Sequence, residues 1–114
     1  MAIKLYKFEV IKGREAVAEE WLNFLSSHIA IGEELLKGER VFLEAYFKAV
    51  ETETTYVYMF FSGEDVGFSH NKALNFGSEY DKKHFDDRSA SIDLTKGDIM
   101  DGLFYLNHFE DAIG

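Results

Sequence analysis

Alternating apolar and polar residues predict four β-strands in this chain of 114 residues. Alternation is typical of a strand with one buried face, because successive side chains point to opposite faces of the sheet. The strand over residues 54–62 is instead apolar on both faces, which predicts that both faces are covered. The four predicted strands span residues 3–11, 41–50, 54–62 and 99–109.

A helical period connects the first two predicted strands. Residues 14–37 keep their apolar side chains on one stripe, and the stripe holds its phase across Gly32. This pattern predicts one helix or two nearly collinear helices. Gly38 follows the last periodic residue and is the expected C-terminal cap, because glycine readily adopts the left-handed conformation found there.

A second helix is predicted between the third and fourth strands. Residues 63–77 are polar and contain glycine, which predicts a loop. Ser78 is then the expected N-cap of a helix that runs to about Ile92. Residues 95–98 are expected to turn the chain into the last strand.

The resulting order is βαββαβ, which predicts an α+β protein with a ferredoxin-like sandwich fold over residues 1–114. Such a fold has an antiparallel sheet with two helices on one face. The strands carry aromatic residues on more than one face, so the bare face of the sheet needs a cover. A second copy of the sheet is the natural cover, and we therefore predict a homodimer of the dimeric α+β barrel type.

Composition excludes several functional classes. The net charge of −9 disfavours nucleic acids and anionic membrane surfaces as partners. The chain has no cysteine, which excludes disulfides, thiolate zinc sites and iron–sulfur clusters. No apolar run is long enough to span a membrane and no secretory signal is present, so we expect a cytoplasmic protein. No phosphate loop or dinucleotide fingerprint identifies a cofactor.

The second predicted helix carries the strongest candidates for chemistry, because ionisable residues share a side with its apolar anchors. Asp81 and His84 are one turn apart, so the carboxylate can orient the imidazole for work as a general base or a metal ligand. Arg88 lies on the same side as a possible ligand-binding residue. The alternative is structural: Asp81 caps the helix, His84 lies at the boundary of the core and Arg88 reaches to water.

Further candidates lie on the first predicted helix and the middle strands. His28 interrupts the apolar stripe of its helix, and Glu44 and Tyr46 occupy one face of the second strand. If the hairpin register brings Tyr58 beside them, these residues would form an aromatic cavity for a small polar-aromatic ligand. The alternatives are that His28 is a structural residue bonded to a carbonyl, and that the strand face packs in a dimer interface.

A divalent-metal site is a third hypothesis beside a small-molecule site and a non-catalytic dimeric binding module. His28, His70 and His84 together with a carboxylate have suitable ligand chemistry. Their spacing matches no local metal-binding motif, however. The sequence leaves the three hypotheses open and names neither a substrate nor a reaction.

Several segments resemble a bacterial family of unknown function that is similar to the dimeric α+β barrel group. They are Lys4 to Phe8, Lys12 to Glu15, Glu20 to Leu25, Glu39 to Glu44, Tyr56 to Tyr58 and Tyr80 to His84. The resemblance implies ferredoxin-like protomers whose sheets pack face to face, in a group that includes monooxygenases, isomerases and proteins with no known catalysis. It also implies that Glu39, Glu44, Asp81 and His84 occupy family-typical positions.

Overall fold

A computed structural model describes residues 1–64 and 79–108 of the protein. Within these residues, four strands form one antiparallel sheet, and three helices accompany it. The elements are β1 (Ala2–Val10), α1 (Glu15–Ser26), α2 (Ile29–Glu39), β2 (Val41–Glu51), β3 (Thr54–Gly63), α3 (Glu79–Ser91) and β4 (Ile92–Asp101). The α+β class is confirmed. The order β-α-α-β-β-α-β corrects the plain βαββαβ prediction, because the first helical segment forms two helices.

The break between α1 and α2 lies at Ser27 and His28 rather than at Gly32. The Ser27 hydroxyl donates a hydrogen bond of 2.7 Å to the carbonyl of Asn23, which closes the last turn of α1. His28 then leaves the helical conformation and α2 begins at the next residue. The predicted cap at Gly38 is also wrong, since α2 continues to Glu39 and ends at Arg40 in the left-handed conformation.

The sheet has the strand order β2-β3-β1-β4, and its core lies on the face that carries α1 and α3. The core side chains are mainly aromatic or branched, since these residues fit a half-buried strand face. From the sheet they are Tyr6, Phe8, Val10, Val57, Met59 and Phe61. Trp21 of α1 packs against them and is fully buried.

A bulge at the start of β2 sets the phase of that strand. Val41 pairs with Gly63, but Leu43 pairs with Ser62, so Phe42 is an extra residue on β2. Gly63 allows the close approach of the two chains here, because a Cβ atom on it would lie 2.5 Å from the Arg40 carbonyl oxygen. The extra residue moves every later side chain of β2 to the opposite face of the sheet.

The last strand begins earlier than its pattern predicted. β4 starts at Ile92 directly after α3, whereas the prediction was a turn over 95–98 and a strand over 99–109. The predicted turn is an irregularity inside β4, where the Asp93 carboxylate accepts hydrogen bonds from the amide and the hydroxyl of Thr95. The predicted loop over 63–77 falls, after Gly63 and Glu64, outside the described residues, as do His70 and Ser78.

Apolar side chains remain uncovered on the face of the sheet opposite the helices. Leu43, Phe47 and Met100 lie there, and Phe47 is 57% exposed. Residues 102–108 follow β4 without regular structure, and Leu103 and Leu106 are almost fully exposed. Among the described residues, no helix has the length and apolar character needed to cross a membrane.

The bulge at Phe42 predicts a specific sensitivity at Gly63. Replacing Gly63 with alanine should lower the free energy of unfolding by about 1–3 kcal/mol, because the new Cβ atom meets backbone that cannot move aside. Gly38→Ala is the control, since its Cβ atom would meet open space within a helix, and it should raise stability by up to about 1 kcal/mol. Urea denaturation measures both, and equal effects would contradict the proposed role of Gly63.

Candidate functional site

The strand β2 turns its polar face toward the helices. Glu44 pairs with Phe61 and Tyr46 pairs with Met59, and both of these partners belong to the core. Directly paired residues of antiparallel strands share a face, so Glu44 and Tyr46 also lie on the helix side. The apolar residues Leu43 and Phe47 point away. This is the reverse of an ordinary half-buried strand, in which the apolar face is the inner one.

A cavity of about 1040 Å³ lies above this polar strand face, bounded by the three helices. Its volume is at the upper end of the range for small-molecule sites. Leucine and phenylalanine side chains form much of the wall. The wall also includes His28, Glu39, Glu44, Tyr46, Tyr80, Asp81 and His84. The cavity therefore combines apolar walls with a small number of polar groups, as ligand sites do.

His84 is held in this wall by Trp21. The indole Nε1–H of Trp21 donates a hydrogen bond of 2.9 Å to Nδ1 of His84, and the two rings are nearly parallel. Since Nδ1 accepts this bond, the neutral imidazole carries its hydrogen on Nε2. The ring can therefore present an N–H donor to a molecule in the cavity.

The electrostatics of His84 agree with a neutral ring. Burial, and to a smaller extent the charge of Arg88, lowers the pKa of His84 to about 4. A bonded carboxylate would raise this pKa instead. Trp21, which was not assigned to His84 from the sequence, is the residue that bonds Nδ1 and orients the ring. Asp81 lines the cavity as a buried side chain, 3% exposed.

Glu44 and Tyr46 form a second polar group at the floor of the cavity, and the charge of Arg88 acts on both. The Tyr46 hydroxyl donates a hydrogen bond of 2.8 Å to Oε1 of Glu44. Burial, followed by the charge of Glu44, raises the pKa of Tyr46. Arg88 is also buried, which lowers its pKa, while the charges of Tyr46 and Glu44 act against that shift. Arg88 is therefore buried rather than a surface residue reaching to water.

Arg88 does not line the large cavity itself. Its side chain borders a smaller hollow of about 340 Å³ beside β1 and β4, and its guanidinium carbon lies 4.6 Å from the centre of the Phe85 ring. Of the three residues, Glu44 and Tyr46 line the large cavity and Arg88 does not. The charge of Glu44 raises the pKa of Arg88 and so acts against the effect of burial.

His28 and Tyr80 line the other end of the cavity, and Phe24 packs against both of them without lining it. The ring of Phe24 lies 4.3 Å from that of His28 and 5.4 Å from that of Tyr80, measured between centroids. Nδ1 of His28 is 2.8 Å from the carbonyl oxygen of Phe24, which can only accept, so Nδ1 donates. Gly32 leaves room for Tyr80, since a Cβ atom there would lie 3.1 Å from the Tyr80 hydroxyl oxygen.

Tyr58 lies outside this arrangement. It pairs with Phe47 in the sheet and therefore occupies the face opposite the helices, where its hydroxyl donates a hydrogen bond to Glu51. The register that would have placed Tyr58 beside Glu44 and Tyr46 does not form. For the same reason, the Glu44 face does not belong to an interface between exposed sheets, because helices already lie above it.

Sequence reasoning missed Trp21 and Tyr80 as site residues. Both lie in segments predicted to be helical, residues 14–37 and 78–92, but neither was given a polar role. The signal for Trp21 was available, because a buried indole N–H almost always needs an acceptor and His84 is a polar residue on a packing face. Nothing local in the sequence shows that Gly32 makes space for the Tyr80 hydroxyl.

The described residues bring no metal site together. No group of three or more histidine, aspartate or glutamate side chains within residues 1–64 and 79–108 is arranged to hold a metal ion. His28 and His84 are both in the cavity wall, but each nitrogen Nδ1 is engaged by a different protein group. His70, the third predicted ligand, lies outside the described residues.

Comparison with known proteins gives a family but no activity. The model of a family of unknown function, DUF6176, matches residues 1–100. The chain belongs to that family. No curated protein and no solved structure matches it. The function of this DUF6176 protein is therefore argued from the geometry of the cavity.

Acid should destabilise this DUF6176 protein through His84. The folded state holds the pKa of His84 near 4, against an ordinary value of 6.5, so the unfolded chain binds the proton first as the pH falls. The free energy of unfolding is therefore not reduced by His84 above pH 6.5. It falls by up to about 3 kcal/mol as the pH is lowered from 6.5 toward 4. Urea denaturation across this range measures the loss.

The control for this pH dependence is His84→Gln. The glutamine side-chain oxygen can still accept the hydrogen bond from Trp21, but the side chain does not titrate. The variant should lose less stability between pH 6.5 and pH 4 than the parent protein does. Parallel stability curves for the two proteins would show that His84 is not the titrating group.

Proposed function

We propose that the protein binds a small organic molecule in the cavity between β2 and the three helices. The observation that carries this proposal is the inward polar face of β2. Glu44 and Tyr46 lie where an ordinary sheet would place core side chains, and they face a cavity of about 1040 Å³. Burying a carboxylate on a packing face costs stability, so its position there supports a role other than packing.

The polar groups of the cavity suit recognition of a ligand with both hydrogen-bond donors and acceptors. His84 offers Nε2–H as a donor, and Glu44 with its bonded Tyr46 offers carboxylate oxygens as acceptors. A neutral imidazole N–H can also polarise a carbonyl group of a bound molecule, which is the step through which binding would become catalysis. The low pKa of His84 supports this role rather than that of a general base.

Binding by a homodimer of ferredoxin-like protomers, in the cytoplasm, completes the proposal. The antiparallel order β2-β3-β1-β4 with helices above one face supports likeness to the dimeric α+β barrel group. The exposed side chains of Leu43, Phe47 and Met100 support pairing through the open face of the sheet. A non-catalytic dimeric module is the second candidate, and this apolar face is the observation that favours it.

Hydroxyl deletions on the two faces of the sheet test the binding site. Trp21 is the sole tryptophan, and its indole N–H is bonded to His84 in the cavity wall. The NMR signal of this N–H should therefore shift when a small organic fragment binds in the cavity. Tyr46→Phe should weaken the binding of such fragments roughly threefold to tenfold, because it removes a hydrogen bond that orients the Glu44 carboxylate in the cavity wall.

Tyr58→Phe is the matched control for this test. It removes a hydroxyl that is also bonded to a glutamate, but on the opposite face of the sheet. Fragment affinity should be unchanged in this variant. If no fragment moves the Trp21 signal, or if both variants weaken binding equally, the cavity is not the binding site.

The mass of the protein in solution tests the dimer. Light scattering should give about twice the chain mass of 13.1 kDa for the parent protein. Phe47→Asp should shift the protein to monomers, because a charge then replaces apolar surface in the paired face. Ile29→Asp changes an equally exposed side chain on α2, 57% for both residues, and should leave the dimer intact. A monomeric parent protein would refute the pairing.

A further inference from the structure

Two hydrogen-bond donors of α3 lie side by side in the cavity wall. Tyr80 and His84 are one helical turn apart, both line the cavity, and their ring centroids are 6.2 Å apart. In the part of the chain that the structure describes, no group accepts a hydrogen bond from the Tyr80 hydroxyl or from Nε2–H of His84. Polar groups in protein interiors are normally bonded, so a molecule in the cavity is the natural acceptor for both.

The protein fixes the positions of these two donors. Trp21 bonds Nδ1 of His84, which leaves the hydrogen of the neutral imidazole on Nε2. The Tyr80 ring packs 5.4 Å from that of Phe24, and its hydroxyl oxygen lies beside Gly32 of α2, where a Cβ atom would be 3.1 Å away. Donors that are held in place before binding favour a ligand that brings acceptors, because little conformational entropy is then lost.

Both donors are held in their uncharged forms. Burial is the largest cause for each, since it lowers the pKa of His84 to about 4 and raises the pKa of Tyr80 to about 12. After burial, the charges of Glu44, Asp81 and Glu39 also raise the pKa of Tyr80. Surroundings that disfavour imidazolium at one group and phenolate at the other disfavour a charge of either sign on a bound molecule. The cavity therefore suits an uncharged ligand.

A carbonyl oxygen is the acceptor that best complements this pair of donors. It has two lone pairs near the plane of its substituents, so it can accept from a hydroxyl and from an imidazole N–H at the same time. A carboxylate also accepts, but it carries a charge that burial disfavours. A protonated amine has donors and no acceptor.

We propose that the ligand of this cavity is an uncharged carbonyl compound with an apolar or aromatic body. The inference rests on the proposed function, since it names the ligand class of the same site. The carbonyl oxygen lies between Tyr80 and His84 and accepts a hydrogen bond from each. The body of the molecule packs against Leu22, Leu25 and Leu36 in the wall.

Three probes that share one aromatic ring test the ligand class. They are acetophenone, ethylbenzene and benzoate, titrated at neutral pH while NMR follows the indole N–H of Trp21. Acetophenone should bind at least about tenfold more tightly than benzoate, because benzoate must bring a charge into a buried site. The signal of acetophenone labelled with carbon-13 at its carbonyl should also move downfield on binding, because the oxygen accepts hydrogen bonds.

Removing one donor links the preference to this pair of residues. Tyr80→Phe should weaken acetophenone about threefold to tenfold and reduce the displacement of its carbonyl signal. It should leave ethylbenzene unchanged, because a hydrocarbon makes no hydrogen bond, so ethylbenzene reports that the variant is folded. Tyr58→Phe removes a hydroxyl on the opposite face of the sheet and should change neither affinity.

The other donor can be followed without replacing it. With nitrogen-15 in the histidine rings, the Nε2–H signal of His84 should move when acetophenone binds and should move much less with ethylbenzene. This measurement leaves the bond from Trp21 intact. Equal displacements with the ketone and the hydrocarbon would show that Nε2–H does not donate to the carbonyl, and would overturn the inference.

The outcomes separate this inference from the proposal on which it rests. If benzoate binds as tightly as acetophenone, or if Tyr80→Phe weakens acetophenone and ethylbenzene alike, the cavity binds molecules but does not select an uncharged carbonyl group. Either result overturns the carbonyl inference and leaves the proposed function standing. If none of the three probes moves the Trp21 signal, with acetophenone at concentrations up to about 10 mM, both proposals fail.

Discussion

The extra residue at Phe42 is the constraint on which the site depends. With regular pairing from Val41 onward, Leu43 would face Phe61, and the apolar side of β2 would complete the core. The bulge reverses this phase, so Glu44 and Tyr46 face the helices instead. Gly63 makes the bulge possible, because any larger residue would collide with the backbone at Arg40. A cavity with a polar floor is the result.

The hydrogen bond between Trp21 and His84 then connects the cavity to the core. Trp21 is fully buried among the side chains of the sheet, and its indole N–H points at the cavity wall. This one contact satisfies a buried donor, fixes the tautomer of His84 and places the imidazole N–H donor in the wall. The same bond thus serves the packing of the core and the polar character of the cavity wall.

Much of the architecture could be predicted from periodicity alone. The strands β1, β2 and β3 and the helical nature of both connecting segments followed from the pattern of apolar residues. The start of β4 could not be predicted, because the polar residues after Ile92 resemble a turn although they form an irregular strand. Tertiary pairing with β1 decides their structure, and local propensity does not contain that information.

The polar residues of the cavity wall were predictable from the sequence, but their contacts were not. His28, Glu44, Tyr46, Asp81 and His84 were recognised as polar groups on packing faces, and all of them line the cavity. Their partners depend on register and helix packing, which a single sequence does not fix. A slip of one residue separates Tyr58 from the others, and the contact that orients His84 comes from Trp21 of α1.

The alternation of β2 gives its two surfaces separate chemistry. Tyr46 and Phe47 are neighbours in the chain, and Tyr46 faces the helices while Phe47 lies on the opposite face of the sheet. Leu43 and Phe47 nevertheless also border the cavity, so the exposed apolar face and the cavity meet at this strand. Both surfaces depend on the register that the bulge at Phe42 establishes, and a substitution at Phe47 therefore changes each of them.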